Sequence, residues 1–275
     1  MDPAIAESVA DQIKSLGWNP RVEFAVHGEP TLHPNLPQLI EPFGPFYTLV
    51  TSNGGGLLMD TVTKVEALFK AGLNTLALDD YETNRMIERL LENIGYDTGA
   101  CPFDVYFYPD DKKASPHTRY NGHRIVILKD LNEATAGTHS DVHNSAGDAG
   151  PLDRSMNKSR CAKPFREITV RWDGNVALCC NDWPGTYKIG NVVEEGIEAI
   201  WQHPRMRAAR EALYHRRRDL IPICDGCTAK SYRVGLLPDK KGVVELPLPT
   251  IWTKEIIAEA CAGEPFTSRV RPRST

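Results

Sequence analysis

The sequence predicts an α/β protein in two parts, a layered unit with a parallel sheet followed by a small cysteine-bearing piece built on a hairpin. Three observations carry that prediction. In the first half, apolar residues at helical spacing alternate with short strand-like runs, the pattern of a parallel sheet either open or wrapped into a barrel. From 132 to 160 the periodicity vanishes and Gly, Asp, Ser, Asn and His dominate, as in a linker or loop. Beyond it, Ile168 and Val170 on one side and Val176 and Leu178 on the other flank Asp173-Gly174, a strong hairpin signal.

Asp2 and Pro3 form an N-cap and first-turn pair, and Ile5, Val9, Ile13 and Leu16 recur at helical spacing up to Gly17. Val22, Phe24 and Val26 alternate as a strand ending at Gly28, and Leu36, Leu39 and Ile40 mark a short helix. A strand from Tyr47 to Ser52 stops at Asn53-Gly54-Gly55-Gly56, and Val62, Val65, Leu68 and Phe69 form a helix closed by Gly72. Leu73 to Leu78 reads as a strand, and Met86, Ile87, Leu90, Leu91 and Ile94 as a helix. Two further strands lie near Phe103 to Tyr108 and Arg124 to Leu128. After the hairpin, a helix is expected from Glu195 to His215, interrupted near Pro204, where the hydrogen-bond ladder cannot continue. The run Arg216-Arg217-Arg218 reads as a solvated face or a charged helix end. The last forty or so residues are Pro-rich, with one short helix near Trp252 to Cys261. No internal repeat is visible.

At 275 residues, 41% hydrophobic and 25% charged, the chain has the composition of a globular protein with ample core. A net charge of -4 gives no sign of general nucleic-acid affinity. No apolar run approaches the roughly 20 residues of a membrane span, and Met1-Asp2-Pro3 lacks the start of a secretory signal. A cytoplasmic protein is expected. Seven cysteines, an odd number in a reducing compartment, argue against a disulfide framework. Five of them fall between 161 and 227, which points to metal ligands or catalytic thiols.

Cys161 and Cys179 bracket the hairpin, and Cys224-Asp225-Gly226-Cys227 supplies a C-x2-C turn. A hairpin brings its strand ends together and a C-x2-C turn aims two thiolates at one point, so the four suit either tetrahedral zinc or an iron–sulfur cluster. The competing reading makes them small buried hydrophobes. Cys180, adjacent on the strand to Cys179, faces the other way and is expected in the core. Cys101 and Cys261 stand alone and are read as structural.

Taken together, Cys161-Ala-Lys-Pro-Phe, Thr169-Val-Arg-Trp-Asp-Gly-Asn-Val, Cys179-Cys180-Asn-Asp, Ile189-Gly-Asn-Val, Ile200-Trp201 and Cys224-Asp-Gly-Cys227 resemble the SPASM/twitch extension of radical S-adenosylmethionine (SAM) enzymes. That resemblance implies one auxiliary 4Fe-4S cluster held by Cys161, Cys179, Cys224 and Cys227. The longer SPASM form carries two further cysteines after its C-x2-C for a second cluster, and Arg233 and its neighbours offer none, so the single-cluster twitch form is the closer match. In the first half, Gly28-Glu29-Pro30-Thr31-Leu32-His33-Pro34 resembles the family's GGEP segment, which holds the SAM amino group. Thr51-Ser52-Asn53-Gly54 resembles the strand end beside it. The implied SAM contacts are Gly28, Glu29, Pro30, Ser52, Asn53 and, at a poorly matching position, Asp79. Sites at the C-terminal ends of parallel strands are expected physically as well.

The fold implied is a partial (β/α)6 radical-SAM-type barrel lacking its first strand over 1–135, a linker over 136–160, a small α+β twitch/SPASM domain over 161–235, and a Pro-rich extension over 236–275. One departure stands out. The C-x3-C-x2-C that holds the family's catalytic cluster is absent from residues 1–275. The expectations are a truncated start, a segment supplied by another chain, or loss of radical chemistry. SAM and a second 4Fe-4S cluster belong to the protein only if that segment exists. The activity implied is hydrogen abstraction from a peptide, sugar, cyclitol or nucleoside by a 5'-deoxyadenosyl radical. A flavodoxin or ferredoxin would be the reductant. The loop Asp141 to Gly147 reads as an ordinary polar connection, with a substrate-facing loop as the alternative. The contrasting function is a non-catalytic partner protein that keeps the scaffold and binds iron–sulfur or zinc.

Overall fold

The computed structural model describes residues 1–25, 28–79, 85–108, 110–111, 115–116, 118–129, 153–182, 184–229 and 254–262. The chain divides into two compact units, Met1–Asp141 and Val142–Thr275. Val26, Trp252 and the loop 141–147 lie outside the described residues.

The first unit holds β1 (Arg21–Phe24), β2 (Tyr47–Ser52), β3 (Thr75–Asp79), β4 (Val105–Tyr108) and β5 (Arg124–Leu128). They form a five-stranded sheet in the order β1-β2-β3-β5-β4, and every neighbouring pair is parallel. The α/β class and parallel sheet are those expected. The order is not sequential, because β5 inserts between β3 and β4 where strictly consecutive addition would place β4.

Helix α1 (Pro3–Ser15) starts as its sequence dictates: the Asp2 carboxylate accepts the Ala4 amide at 2.8 Å and Pro3 occupies the first turn, where no amide hydrogen is needed. It buries Ala6, Val9, Ala10 and Ile13. Helices α2 (Leu36–Ile40), α3 (Thr61–Lys70) and α4 (Met86–Asn93) contribute Leu36, Ile40, Val65, Leu68, Ile87 and Leu90 to one core with Val50, Leu76, Leu78, Ile125 and Ile127. At the N-terminal edge of the sheet, Arg124 is 2% exposed. It donates to Thr75 Oγ1 at 3.1 Å, Ser115 O at 3.0 Å and Thr118 O at 2.8 Å, so burial of its charge is offset by hydrogen bonds. The opposite edge is where β1, β2 and β3 end together, since Phe24 pairs with Val50 and Ser52 with Leu78.

The second unit contains β6 (Thr169–Val170), β7 (Asn175–Ala177) and β8 (Lys188–Asn191) in an antiparallel sheet of order β6-β7-β8. The predicted hairpin is present with a three-residue loop. Gly174 takes φ +80° and its amide donates to Arg171 O at 3.0 Å. Helices α5 (Lys163–Arg166), α6 (Val192–Glu195), α7 (Ile197–Gln202), α8 (Pro204–Tyr214) and α9 (Lys254–Ala262) complete the described residues of this unit. The helix expected over 195–215 is therefore broken twice. Pro204 starts α8 with the His203 ring as its cap, as anticipated. Gly196, at φ +84°, makes a second break that the periodicity hid. The arginine run also needs correction: Arg217 pairs with Asp219, but Arg218 is 1% exposed and not a solvated charge.

Candidate functional site

Two groups of polar side chains stand out, one in each unit. In the first, Gly28-Glu29-Pro30 leaves the C-terminal edge of the sheet and Ser52-Asn53 ends β2 beside it. The Glu29 carboxylate joins the two segments. It accepts from the Thr31 amide at 2.8 Å, Thr31 Oγ1 at 2.5 Å, Ser52 Oγ at 2.5 Å and the Asn53 amide at 2.8 Å. Three of the four donors converge on Oε1 and one on Oε2, so Oε2 keeps a lone pair. Ser52, 2% exposed, in turn accepts the Gly54 amide at 2.8 Å, and Asn53 Oδ1 accepts that of Gly55 at 2.8 Å. Gly56 donates to Thr31 Oγ1 at 3.0 Å and comes so near that a Cβ on it would stand 2.0 Å from the Thr31 carbonyl oxygen. Asp79, the last residue of β3, is 6% exposed at the same edge. Five of the six residues from the SAM resemblance thus lie in two adjoining segments, with Asp79 one strand further along. Thr31 and Gly56 were missed. Their roles rest on a backbone approach between distant segments, and the Gly-Gly-Gly run signalled only a strand's end.

In the second unit, Cys161 precedes α5, Cys179 follows β7, and a 3₁₀ turn, Pro222–Cys224, leads into the C-x2-C segment. Its sulfur hemmed in by protein, the Cys224 thiol is pushed well above its usual range, first by burial and then by the neighbouring Cys179, Cys161 and Cys227. Burial pushes Cys179 up to about 12, with Cys180 and Cys161 adding to it and the Asn181 amide and Lys163 opposing it. Cys224 thus has the other three thiols as electrostatic neighbours, and Cys179 has Cys161. Among the described residues, no three His, Cys, Asp or Glu side chains have closed to the spacing of a single bound ion. Cys227 is 7% exposed, and Cys161, Cys179 and Cys224 are half-buried as whole residues.

Cys180, in the turn after β7, does not enter the apolar core expected of it. It receives Lys163 Nζ at 2.8 Å, and Lys163 also bonds Glu167 Oε1 at 3.0 Å. Cys101 sits at the margin of the first unit's core, its thiol toward Phe103 O at 3.5 Å. Cys261 on α9 is fully buried and hydrogen-bonded with Tyr187.

The segment preceding Cys161 is tied to the C-x2-C turn by side chains that sequence reasoning did not single out. Arg154 binds Asp225 through two nitrogens at 2.9 Å each. Asn157 Nδ2 donates to Asp225 Oδ1 at 2.6 Å, and Asn157 Oδ1 accepts the Gly226 amide at 3.0 Å. Arg218 spans both segments: it donates to Ser159 O at 3.1 Å, Arg160 O at 3.0 Å, Cys227 O at 2.8 Å and Ala229 O at 3.2 Å. A donor set of four thiolates, pinned from two sides and largely withdrawn from water, fits an iron–sulfur cluster.

Residues 161–228 match the SPASM family, described as an iron-sulfur cluster-binding domain. The chain is 23% identical over 232 residues to the S-adenosyl-L-methionine-dependent 2-deoxy-scyllo-inosamine dehydrogenase of Niallia circulans, covering 82% of this chain and 80% of that one. Its fold is similar to that of BtrN in complex with AdoMet and 2-DOIA, with a TM-score of 0.60, 21% identity, and 83% and 80% of the two chains covered. Selenomethionine BtrN in an open conformation gives a TM-score of 0.55 at 18% identity over the same shares. These findings agree with the resemblance to a radical SAM protein with a SPASM-type domain. No described helix is long and apolar enough to cross a membrane.

Proposed function

We propose that this chain, similar to a SAM-dependent dehydrogenase and carrying a SPASM-type domain, serves in a radical SAM oxidation of a secondary alcohol of a cyclitol or sugar. Its auxiliary 4Fe-4S cluster would be held by Cys161, Cys179, Cys224 and Cys227. The observation that supports this reading is that Cys224 has Cys227 and the two distant cysteines Cys179 and Cys161 as electrostatic neighbours. The cyclitol class comes from the relative, whose name specifies 2-deoxy-scyllo-inosamine. Bound there, the cluster supplies a one-electron acceptor, so that an alcohol carbon which has surrendered a hydrogen atom can shed its hydroxyl proton and one electron to become a carbonyl. Ligation by four thiolates leaves no open iron position for substrate, which suits electron transfer over anchoring.

The chain's own residues have two tasks. In the second unit, Arg154, Asn157 and Asp225 hold the C-x2-C turn against the segment leading to Cys161. In the first, the Glu29 carboxylate accepts from four internal donors, three on Oε1 and one on Oε2. Its task is to hold the Gly28–Pro30 and Ser52–Asn53 segments in one shape. The ammonium of SAM would then be received by backbone carbonyls of that rim, with Asp79 as a further acceptor at its edge. Reductive cleavage of SAM also requires the three ligands of a catalytic cluster, and no C-x3-C-x2-C occurs in residues 1–275.

The test begins with anaerobic purification. A brown protein with iron and acid-labile sulfide is expected, and a colourless one containing zinc would refute the cluster. The gene is then read upstream in frame for C-x3-C-x2-C, and the longest product is reduced with dithionite beside SAM and a panel of aminocyclitols. Formation of 5'-deoxyadenosine together with a ketone is expected. Its absence with a fully loaded protein that carries the motif would overturn the enzymatic reading.

A further inference from the structure

We infer that Arg218 is the positioning residue of the four-thiol site, a buried cation that sets the distance between its two halves and the charge state it favours. The inference rests on the cluster reading above. Arg218 follows α8 and is 1% exposed. Its guanidinium reaches across the site to both cysteine segments at once. On one side it bonds the carbonyls of Ser159 and Arg160, the two residues immediately before Cys161. On the other it bonds those of Cys227 itself and Ala229. Its own amide donates to Asn157 O at 3.3 Å, the residue whose side chain holds Asp225 and Gly226. The peptide carbonyl entering Cys161 and that of Cys227 are thus fastened to one planar group.

Two physical consequences follow. A guanidinium spreads five N–H donors over a rigid fork, so it fixes separation and angle together, which the single ammonium of lysine does not. The carbonyls it holds are spread over two segments and belong to residues that must not drift if four thiolates are to meet one inorganic core. The second consequence is electrostatic. The Arg218 guanidinium donates to four carbonyl oxygens and sits directly behind two ligand-bearing segments. Net charge and hydrogen bonding around a cluster are among the levers that set its potential. A cation held there favours the more negative, reduced form and raises that potential.

Position and charge are separable by substitution in the full chain, purified anaerobically. Arg218→Lys keeps the charge and loses the fork; Arg218→Gln keeps some hydrogen bonding and loses the charge. Iron and sulfide content, the rate of iron loss to a ferrous chelator and the midpoint potential are measured for each, with circular dichroism as the check on folding. Both variants are expected to lose iron about tenfold faster than wild type or more, the range found when groups behind metal ligands are removed. Only Arg218→Gln is expected to shift the midpoint potential to more negative values. Should Arg218→Gln fail to fold, Arg218→Lys decides: faster iron loss at wild-type helicity supports the inference, and unchanged loss overturns it. Wild-type chelator resistance and potential in both variants would also overturn it, while leaving the cluster reading intact. A wild-type chain without iron would instead overturn the cluster reading, and this inference with it.

Discussion

Replacing Glu29 tests the rim of the first unit most directly. In Glu29→Gln the side chain keeps its length, and its remaining oxygen can still accept from Thr31 and Ser52. The amide nitrogen then faces the Asn53 N–H, now donor against donor, where a carboxylate oxygen stood at 2.8 Å. One hydrogen bond to a charged acceptor is lost and one part-buried donor is stranded. Each such loss costs about 1.5–3 kcal/mol, and partial exposure here points to the lower end. The Asn53 amide is protected by that bond, so its hydrogen exchange should accelerate by roughly tenfold or slightly more, since 1.4 kcal/mol corresponds to about tenfold. Gly54 and Gly56, held through Ser52 and Thr31, should follow in part. Amides within α3, which lack this connection, serve as internal controls. The assay is exchange read by mass spectrometry at peptide level or by NMR. Unchanged exchange at Asn53 beside unchanged α3 would refute the claim that the carboxylate holds the two segments together.

Other expectations are more compact. Gly56→Ala forces a methyl group to 2.0 Å from the Thr31 carbonyl oxygen. Urea unfolding should show a loss of roughly 1–3 kcal/mol, the usual cost of overpacking, whereas Gly28→Ala meets no atom and is strained only by its φ of +88°. Arg124→Ala removes three hydrogen bonds at once, to Thr75 Oγ1, Ser115 O and Thr118 O, although Ser115 O keeps the Thr118 amide and Thr118 O keeps the Tyr47 hydroxyl. At about 1 kcal/mol each it should cost about 3 kcal/mol in the same assay, and a loss under about 1 kcal/mol would contradict that network's role. Cys224→Ser should abolish iron uptake in anaerobic reconstitution, while Cys101→Ser should leave it unchanged. In the metal-free chain Cys179 is pushed up to about 12, above an unfolded value of about 8.5. The folded chain therefore holds that proton more tightly. Its contribution is fully present below about pH 8.5 and declines as pH rises toward 12. A melting temperature that falls between pH 8.5 and 10 in the metal-free chain, but not in Cys179→Ser, is expected; parallel profiles would exclude the effect.

Much of the fold was legible because its signals are local. Val65, Leu68 and Phe69 repeat at helical spacing, Tyr47 to Ser52 is a compact apolar run, and Asp2-Pro3 caps α1 as its chemistry demands. The hairpin could be read for the same reason, since Gly174 marks its turn, whereas Cys180, placed by alternation on a strand, lies in the turn after β7. What escaped is non-local. Arg218 looked like one of three surface arginines because nothing in its neighbourhood encodes the carbonyls of Ser159, Arg160, Cys227 and Ala229. Gly196 was hidden inside a plausible helix because a single glycine is tolerated there on pattern alone. Thr31 and Gly56 meet only once β1 and β2 are paired.

The placement of β5 between β3 and β4 has a bearing on how the chain matures. As synthesis proceeds from the amino end, β1, β2 and β3 can zip together in order, but β4 emerges before the strand that receives it. Its ladder partner is β5, and the flank of β3 is also reserved for β5. Until Arg124 to Leu128 leaves the ribosome, Val105 to Tyr108 has no ladder to join and the growing sheet ends in an open edge, the kind of surface that recruits other chains. A nascent polypeptide stalled or cleaved ahead of residue 124 is thus a candidate for chaperone capture, and one reaching residue 129 can close two ladders in a single event.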